Sequence, residues 1–414
     1  MGLNSAMYSG VSGILTMGNA MNVIGDNIAN VNTVGFKSSR AVFSDLLASS
    51  LSSGTGVVQF GRGTFMNNVS LNFTQGSFET TGNGTDMGIQ GSGFFVVRDE
   101  QNNANYYTRA GQFVLDNQGR MVNPQGYIAQ GYQVTSSSGG TINTTGALTD
   151  INLGGIQSVP NATTSFRMGL NLNASASAGT TFSTSFDVYN VIGERITLTY
   201  SFTASATAAQ TWDYVISASS GAVTTGSTGT IQFNNLGALI LPTADQAITI
   251  GNFGSGAADL SVVWDLYNAA GASYSEVTGY SSPSSTFAIT QDGYSTGTLR
   301  GLSVDQDGVI TGLFSNGQTQ SLFQIVLADF ASPWGLSREG GSLYAESRQS
   351  GQPLLGAPGS AGLGTVLGSS LELSNVDLAS EFIAMIQNQR GFQANSRVIT
   401  TVDDMMAEVV NLKR

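Results

Sequence analysis

A chain of 414 residues with net charge −12, 10% charged residues and 53 glycines has room for two or three domains and a substantial core. Lysine occurs only at Lys37 and Lys413, so no basic face of the kind that displaces counterions from nucleic acid is present. With neither cysteine nor histidine, disulfides, zinc–thiolate sites, thiolate nucleophiles and a Ser-His-Asp triad are excluded.

The opening MGLNSAMYSGVSGILTMGN lacks a positive n-region, a continuous apolar core and a cleavage site, so it does not read as a secretory signal. No stretch is long and apolar enough to span a bilayer as a helix. Apolar residues instead recur in steps of four and three: Leu3, Met7, Ile14, Met17, Met21, Ile24, Ile28 and Val31, with Gly10 as a gap. This spacing predicts a helix with a heptad seam. Gly2, Gly10, Gly13, Gly18 and Gly25 each cost it about 1 kcal/mol relative to alanine, so packing must hold it. Asn30, Asn32 and Gly35 are expected to stop it.

From about Asn72 the pattern changes to short strands between turns, as in GSGFFVVRD (91–99) and YYTRAGQFVLDNQGRMVNPQGYIAQGY (106–132). A similar pattern returns over 298–330. Between them, 146–285 is rich in Ser, Thr, Ala and Gly. It holds eight acids and two bases, a net −6, and reads as an inserted, solvent-facing β domain. At the far end, Leu371, Leu378, Met385, Phe392, Ile399 and Met406 lie one heptad apart. Val398, Val402, Met405, Val409 and Leu412 run beside them, which predicts a long amphipathic helix over the last forty or so residues. The two terminal helices are expected to pair. They carry more apolar surface than one hairpin covers, so the remainder needs partner chains. The amides Asn388, Gln389, Gln393 and Asn395 are expected to be free for neighbouring subunits.

The expected architecture is multidomain α+β, with paired, coiled-coil-like terminal helices and mainly-β middle domains. Residues 1–31 with 370–414 form the terminal helical domain and 32–71 with 355–369 a connecting segment. Residues 72–145 with 286–354 form a discontinuous β domain, and 146–285 the inserted outer domain.

Motifs for chemistry are weak. Asp305-Gln306-Asp307-Gly308 opens like a calcium loop but lacks an acid near the twelfth position, so it reads as a hairpin turn. Gly88, Gly91 and Gly93 approach a nucleotide-fingerprint spacing but lead into a strand. Asp403 and Asp404 are helix neighbours that point apart. Trp212, Trp264 and Trp334 read as core aromatics, against stacking platforms for carbohydrate. No catalytic constellation, cofactor or metal site is expected.

The motifs resemble those of the bacterial flagellar axial family of rod and hook proteins, its hook branch most. NIANVNTVGFKSSRAVFSDLL (27–47) is similar to the family's N-terminal signature at Asn27, Asn30, Thr33, Gly35, Phe36 and Lys37. SNVDLASEFIAMIQNQRGFQANSRVITTVDDMMAEVVNL (374–412) resembles its terminal helix, and GSGFFVV with YYTRAGQFVLDNQGRMVNPQGY its shared β domain. The resemblance implies a structural subunit of the flagellar hook. Such a subunit self-assembles into a helical tube that acts as a flexible joint between rod and filament. It implies uncleaved export through the flagellar type III apparatus to the cell exterior, aided by a short hydrophobic element at Ala41, Val42 and Phe43. It also implies meeting a hook cap, a distal rod protein and junction proteins. Within the helices, Met7, Ile14, Met21, Ile24, Ile28, Leu371, Leu378, Met385, Phe392, Ile399 and Met406 are the candidate polymerisation residues. The distal rod protein is the alternative within the family, but it lacks so large an insertion. A secreted β-rich adhesin is the alternative outside it, and has no need of matched heptads at both termini.

Overall fold

The computed structural model describes residues 2–47, 49–53, 56–134, 146–268 and 270–411. Leu412 and Lys413 lie outside the described residues. Two compact units are present. The first holds Met1–Gly155, Gly301–Gly312 and Gln320–Arg414; the second holds Ile156–Arg300 and Leu313–Thr319.

In the first unit, helix α1 (Gly2–Ala29) and helix α2 (Leu378–Asn411) pack together. At 1.5 Å per residue they run about 42 and 51 Å. Asn27 meets Glu381, Met17 meets Gly391 and Gly10 meets Ile399, so the pair is antiparallel. α1 stops where the asparagines begin. The Asn30 N–H bonds the Asp26 carbonyl, and Gly35 takes φ +68°. α2 starts at an aspartate cap: Asp377 accepts from the Ala379 N–H at 2.9 Å and the Ser380 hydroxyl at 3.0 Å. Those bonds hold the Asp377 carboxyl below the usual aspartate range.

Leu371 corrects the expected helix start. It lies in the Ser370–Glu372 strand, paired with Glu79 of the Phe78–Thr80 strand, and is buried. The heptad phase that joined it to Leu378 is coincidental. The cap at Asp377 prevents the helix from reaching back to it.

Strands β1 (Ser39–Asp45) and β2 (Thr64–Leu71) pair antiparallel and lean on α1. The Thr64 N–H donates to the Ser12 hydroxyl at 3.2 Å, and Thr16 donates to the Thr64 carbonyl at 3.3 Å. Beyond them lies an antiparallel sheet in the order Thr319–Ile325, Ile128–Gln133, Phe94–Arg98, Asn105–Thr108, Leu343–Ala345, Ser337–Gly340. Phe94, Tyr107, Phe330 and Tyr344 form an edge-to-face aromatic core on it.

The second unit is two sheets over one core. Ser165–Asn171 pairs with Ser285–Gln291, Leu260–Trp264 and Val277–Thr278 in one sheet. The other sheet runs Thr181–Tyr189, Arg195–Ala204, Thr211–Ala218, Thr228–Phe233, Leu239–Leu241. Ile196, Leu198, Tyr200 and Phe202 alternate inward along one strand and meet Trp212, Trp264 and Phe166. Trp212 and Trp264 are thus core residues, while Trp334 is exposed in the first unit. Trp264→Ala is expected to cost the second unit about 3–5 kcal/mol. Hydrogen exchange across 195–218 in urea would register the loss, and unchanged protection there would refute it.

The unit boundaries differ from those expected. The second unit begins at Ile156, not at 146, because Thr149–Asp150 pairs with Ile128–Gln133 and Asp150 is bonded by Arg98 and Gln130. It extends past 285 because Ser285–Gln291 is a strand of its own sheet. Nor is 355–369 a plain connector, since Thr365–Gly368 pairs with Met87–Gln90. Asp305–Gly308 is a hairpin turn, with the Gly308 N–H on the Asp305 carbonyl and Gly308 at φ +70°.

Candidate functional site: an apolar helix surface anchored by a buried ion cluster

The α1–α2 seam inverts the expectation from hydrophobic spacing. Its α1 side is Gly10, Gly13, Met17, Ala20, Ile24 and Asn27. Its α2 side is Glu381, Ala384, Asn388, Gly391, Asn395 and Ile399. The α1 side keeps heptad spacing and the α2 side keeps it as far as Asn395, but most members are small or amides. Gly10 is a contact, not a gap: a Cβ there would lie 3.0 Å from Ile399 Cγ1. At Gly13 it would lie 2.4 Å from Asn395 Nδ2. Asn388 bonds the Ala384 carbonyl of its own helix at 2.8 Å. The Asn388 amide N–H₂ is thus bonded within its own helix, where it was expected to be free for neighbours; Asn395 packs against Gly13, and Gln389 and Gln393 are exposed.

The large apolar side chains consequently face outward. Phe382, Ile383 and Ile386 are 50%, 58% and 50% exposed. At 3.6 residues per turn, Ile386 lies on the side of α2 opposite Asn395, away from α1. Farther along, Val398, Met405, Met406, Val409 and Val410 are exposed, as are Tyr8, Val11 and Leu15 of α1. Of the candidate polymerisation residues, Met7, Leu378, Phe392 and Met406 are exposed. Ile14, Met21, Ile28, Met385 and Ile399 are half-buried, and Ile24 is buried in the seam. Sequence reasoning missed Phe382, Ile383 and Ile386, whose spacing does not extend the heptad. On the other side of α2, where it meets α1, a separate groove is lined by Val23, Ala41, Phe43, Leu71, Trp334 and Ala384. Ala41, Val42 and Phe43 sit in β1, the first two half-buried and Phe43 exposed.

The N-terminal motif lies at the base of the helix pair, largely turned inward. The Asn27 amide donates to the Ser39 carbonyl at 2.8 Å and to Glu381 Oε1 at 2.9 Å, and its oxygen accepts the Ser39 N–H at 2.8 Å. Asn30 closes the turn, donating to Asp26 and accepting from the Thr33 hydroxyl. Phe36 is buried beneath the Arg338 guanidinium, 5.5 Å from its ring centre. Lys37, one of only two lysines, is fully buried.

Lys37 Nζ lies 2.6 Å from Glu372 Oε1 and 2.9 Å from the Thr74 carbonyl. Glu372 Oε1 also accepts the Gly76 N–H at 2.9 Å, and Oε2 lies 3.4 Å from Arg109 Nη1. Arg109 Nη2 caps the Gly91 carbonyl at 2.8 Å. Burial pushes both the Lys37 ammonium and the Arg109 guanidinium below their usual ranges, against the opposing pull of Glu372. Two cations around one carboxylate are expensive to bury and are tolerated because each has further bonds to backbone. Asn375 extends the cluster, accepting the Ser38 N–H at 2.8 Å and donating to the Asn72 and Thr74 carbonyls. Glu372, Arg109 and Asn375 were not singled out from sequence, because their partners lie hundreds of positions away.

Among the described residues no group of three or more acids, histidines or cysteines is placed to hold a metal, and no helix is long and apolar enough to cross a membrane.

An outward apolar helix pair on a β-rich body, anchored at the rod-family motif, is the arrangement of a flagellar axial protein, and the comparisons with known proteins agree. Family models match for "Flagella basal body rod protein" at 7–37 and "Flagellar hook protein FlgE/F/G D1 domain" at 88–168. "Flagellar basal body protein FlaE D2 domain" matches at 161–294 and "Flagellar basal body rod FlgEFG protein C-terminal" at 368–412. The flagellar hook protein FlgE of Borreliella burgdorferi is 34% identical over 443 residues, covering 99% of each chain. That of Escherichia coli is 34% identical over 419 residues, covering 99% of this chain and 100% of the relative. The chain belongs to the flagellar hook protein FlgE family. A solved structure of the Helicobacter pylori flagellar hook protein FlgE2 aligns at 16% identity and TM-score 0.44, over 71% of this chain and 100% of that one.

Proposed function

We propose that the chain is the structural subunit of a bacterial flagellar hook, polymerising through its terminal helices into a helical tube. The carrying observation is the apolar surface of α1 and α2 that their own pairing leaves uncovered. Such a face, packed against a different surface of the next copy in a heterologous, non-closing contact, gives a filament instead of a ring. Met7, Ile14, Met21, Leu378, Met385, Phe392 and Met406 act in that contact together with Phe382, Ile383 and Ile386. The two β-rich units supply outer contacts whose small polar side chains exchange as the tube bends, so that torque passes from rod to filament. The subunit works outside the cell, delivered by the flagellar export apparatus with Ala41, Val42 and Phe43 as its entry element. It is assembled beneath a hook cap, on a distal rod protein and below junction proteins. Its work is mechanical, not catalytic.

Electron microscopy of the full chain in a salting-out buffer, beside a version lacking 1–26 and 378–414, tests the reading. Curved tubes from the full chain alone are expected. Straight tubes would favour a rod component, and tubes from the truncated chain would overturn polymerisation through the ends.

A further inference from the structure

The outward face of α2 and the groove at its foot look in opposite directions. Phe382, Ile386 and Arg390 follow one another at intervals of four along the exposed side of the helix. Glu381 stands on the other side, half-buried, and lines the groove with Val23, Phe43, Trp334 and Ala384. Arg390 lies nine residues beyond Glu381, which is about two and a half turns of helix. Within one chain the two side chains therefore point apart and cannot meet.

Each of these charges is left without an opposite. Among the described residues no cation lies within ion-pair distance of Glu381, and no acid within that distance of Arg390. Glu381 accepts the Asn27 amide at 2.9 Å, and burial, against the pull of that bond, pushes its carboxyl above the usual glutamate range. Arg40 also borders the groove. It alternates with Ser39 and Ala41 along β1, so its side chain stands on the other face of that strand. The rest of the recess has the makings of an interface anchor: Trp334 is 66% exposed on its short turn and Phe43 is 44% exposed across from it. The space they border is about 700 Å³, room for more than one large side chain.

We propose that this groove receives the outward face of α2 from a second copy of the chain, with Phe382 and Ile386 entering beside Trp334 and Arg390 reaching Glu381. This rests on the polymerisation reading and names the surface that completes it. Because the two sides of α2 face opposite ways, a copy docked in one groove still offers its own groove to the next. The contact then repeats head to tail.

Trp212 and Trp264 are buried in the second unit, so acrylamide quenching of the folded full chain reports Trp334. That quenching is expected to fall several-fold when the chain forms tubes. Arg390→Glu and Glu381→Lys, each checked as a folded monomer by circular dichroism, are each expected to raise the critical concentration for tubes by about tenfold or more. Mixed in equal amounts they are expected to assemble near the native concentration, because each variant's outward face then fits the other's groove. An ion pair within one chain gives no such rescue. If Glu381→Lys loses helix content, Glu381→Gln, which can still accept the Asn27 amide, takes its place. Combined with Arg390→Gln in the same chain, the two losses are then expected not to add. Native tubes with Trp334 still quenched would overturn the docking while leaving polymerisation through the ends standing. So would two folded variants that do not rescue each other, or fully additive losses in the glutamine pair. A native chain that forms no tubes would overturn both.

Discussion

Replacing Ile383 and Ile386 together by aspartate is expected to abolish polymer formation while leaving the monomer's fold intact. Both side chains are half exposed in the single chain, on the parts of α2 that α1 does not cover. Full burial of an isoleucine is worth about 1.5–3 kcal/mol, of which roughly half remains to be gained in an interface. Aspartate forfeits that gain and adds the cost of desolvating an unpaired carboxylate, several kcal/mol for each copy. Because every subunit repeats the contact, the penalty recurs at each step of growth. In the monomer both carboxylates stay in water, so helix content and melting should change little. Sedimentation and circular dichroism on one sample decide the matter. Normal tubes would remove this face from the interface, and a collapsed monomer would show that it belongs to the core.

Gly35→Val carries the second large effect, and it falls on the fold. Gly35 sits at φ +68°, where an L-residue pays about 1–2 kcal/mol and a β-branched one more. A Cβ there would also lie 2.4 Å from the Ala110 nitrogen and 2.6 Å from the Arg109 carbonyl carbon. Those are backbone atoms and cannot swing aside, so the Gly35–Lys37 turn must move. Lys37 would then leave Glu372 unpaired with its nearest cation, and breaking a buried pair costs about 3–5 kcal/mol. A thermal midpoint of the first unit many degrees lower is expected by calorimetry. A midpoint within a degree or two of native would mean the turn tolerates the shift and the ion pair is not held by it.

The contrast between these two sites follows how much of each could be read from the sequence. The terminal helices were legible because apolar residues repeat with helical spacing, and the strands of the second unit because Ile196, Leu198, Tyr200 and Phe202 alternate. The direction in which each helix faces was not legible. Apolar periodicity locates large side chains, whereas the observed seam is built from Gly10, Gly13, Ala384 and Gly391, which leave no mark on such a pattern. Leu371 fell into phase with Leu378 by chance. The sequence Asp377-Leu-Ala-Ser380-Glu381 is nonetheless a legible helix start. The buried cluster was half legible. Lys37 stood out as a rare lysine within a motif, but nothing local pointed to a carboxylate 335 positions later or to Arg109.

A pairing near both ends of the long Ile156–Arg300 segment of the second unit has a consequence of its own. Asn161 and Tyr294 exchange both backbone hydrogen bonds, at 3.0 and 2.9 Å. The incoming and outgoing chain segments therefore stand side by side, about 5.5 Å apart between Cα atoms. Everything between them is a cassette on a closed doorway. It can be lengthened, recoloured in charge or excised and bridged by a tight turn, and the two ends still meet. Divergence within the cassette is thereby uncoupled from the rest of the chain.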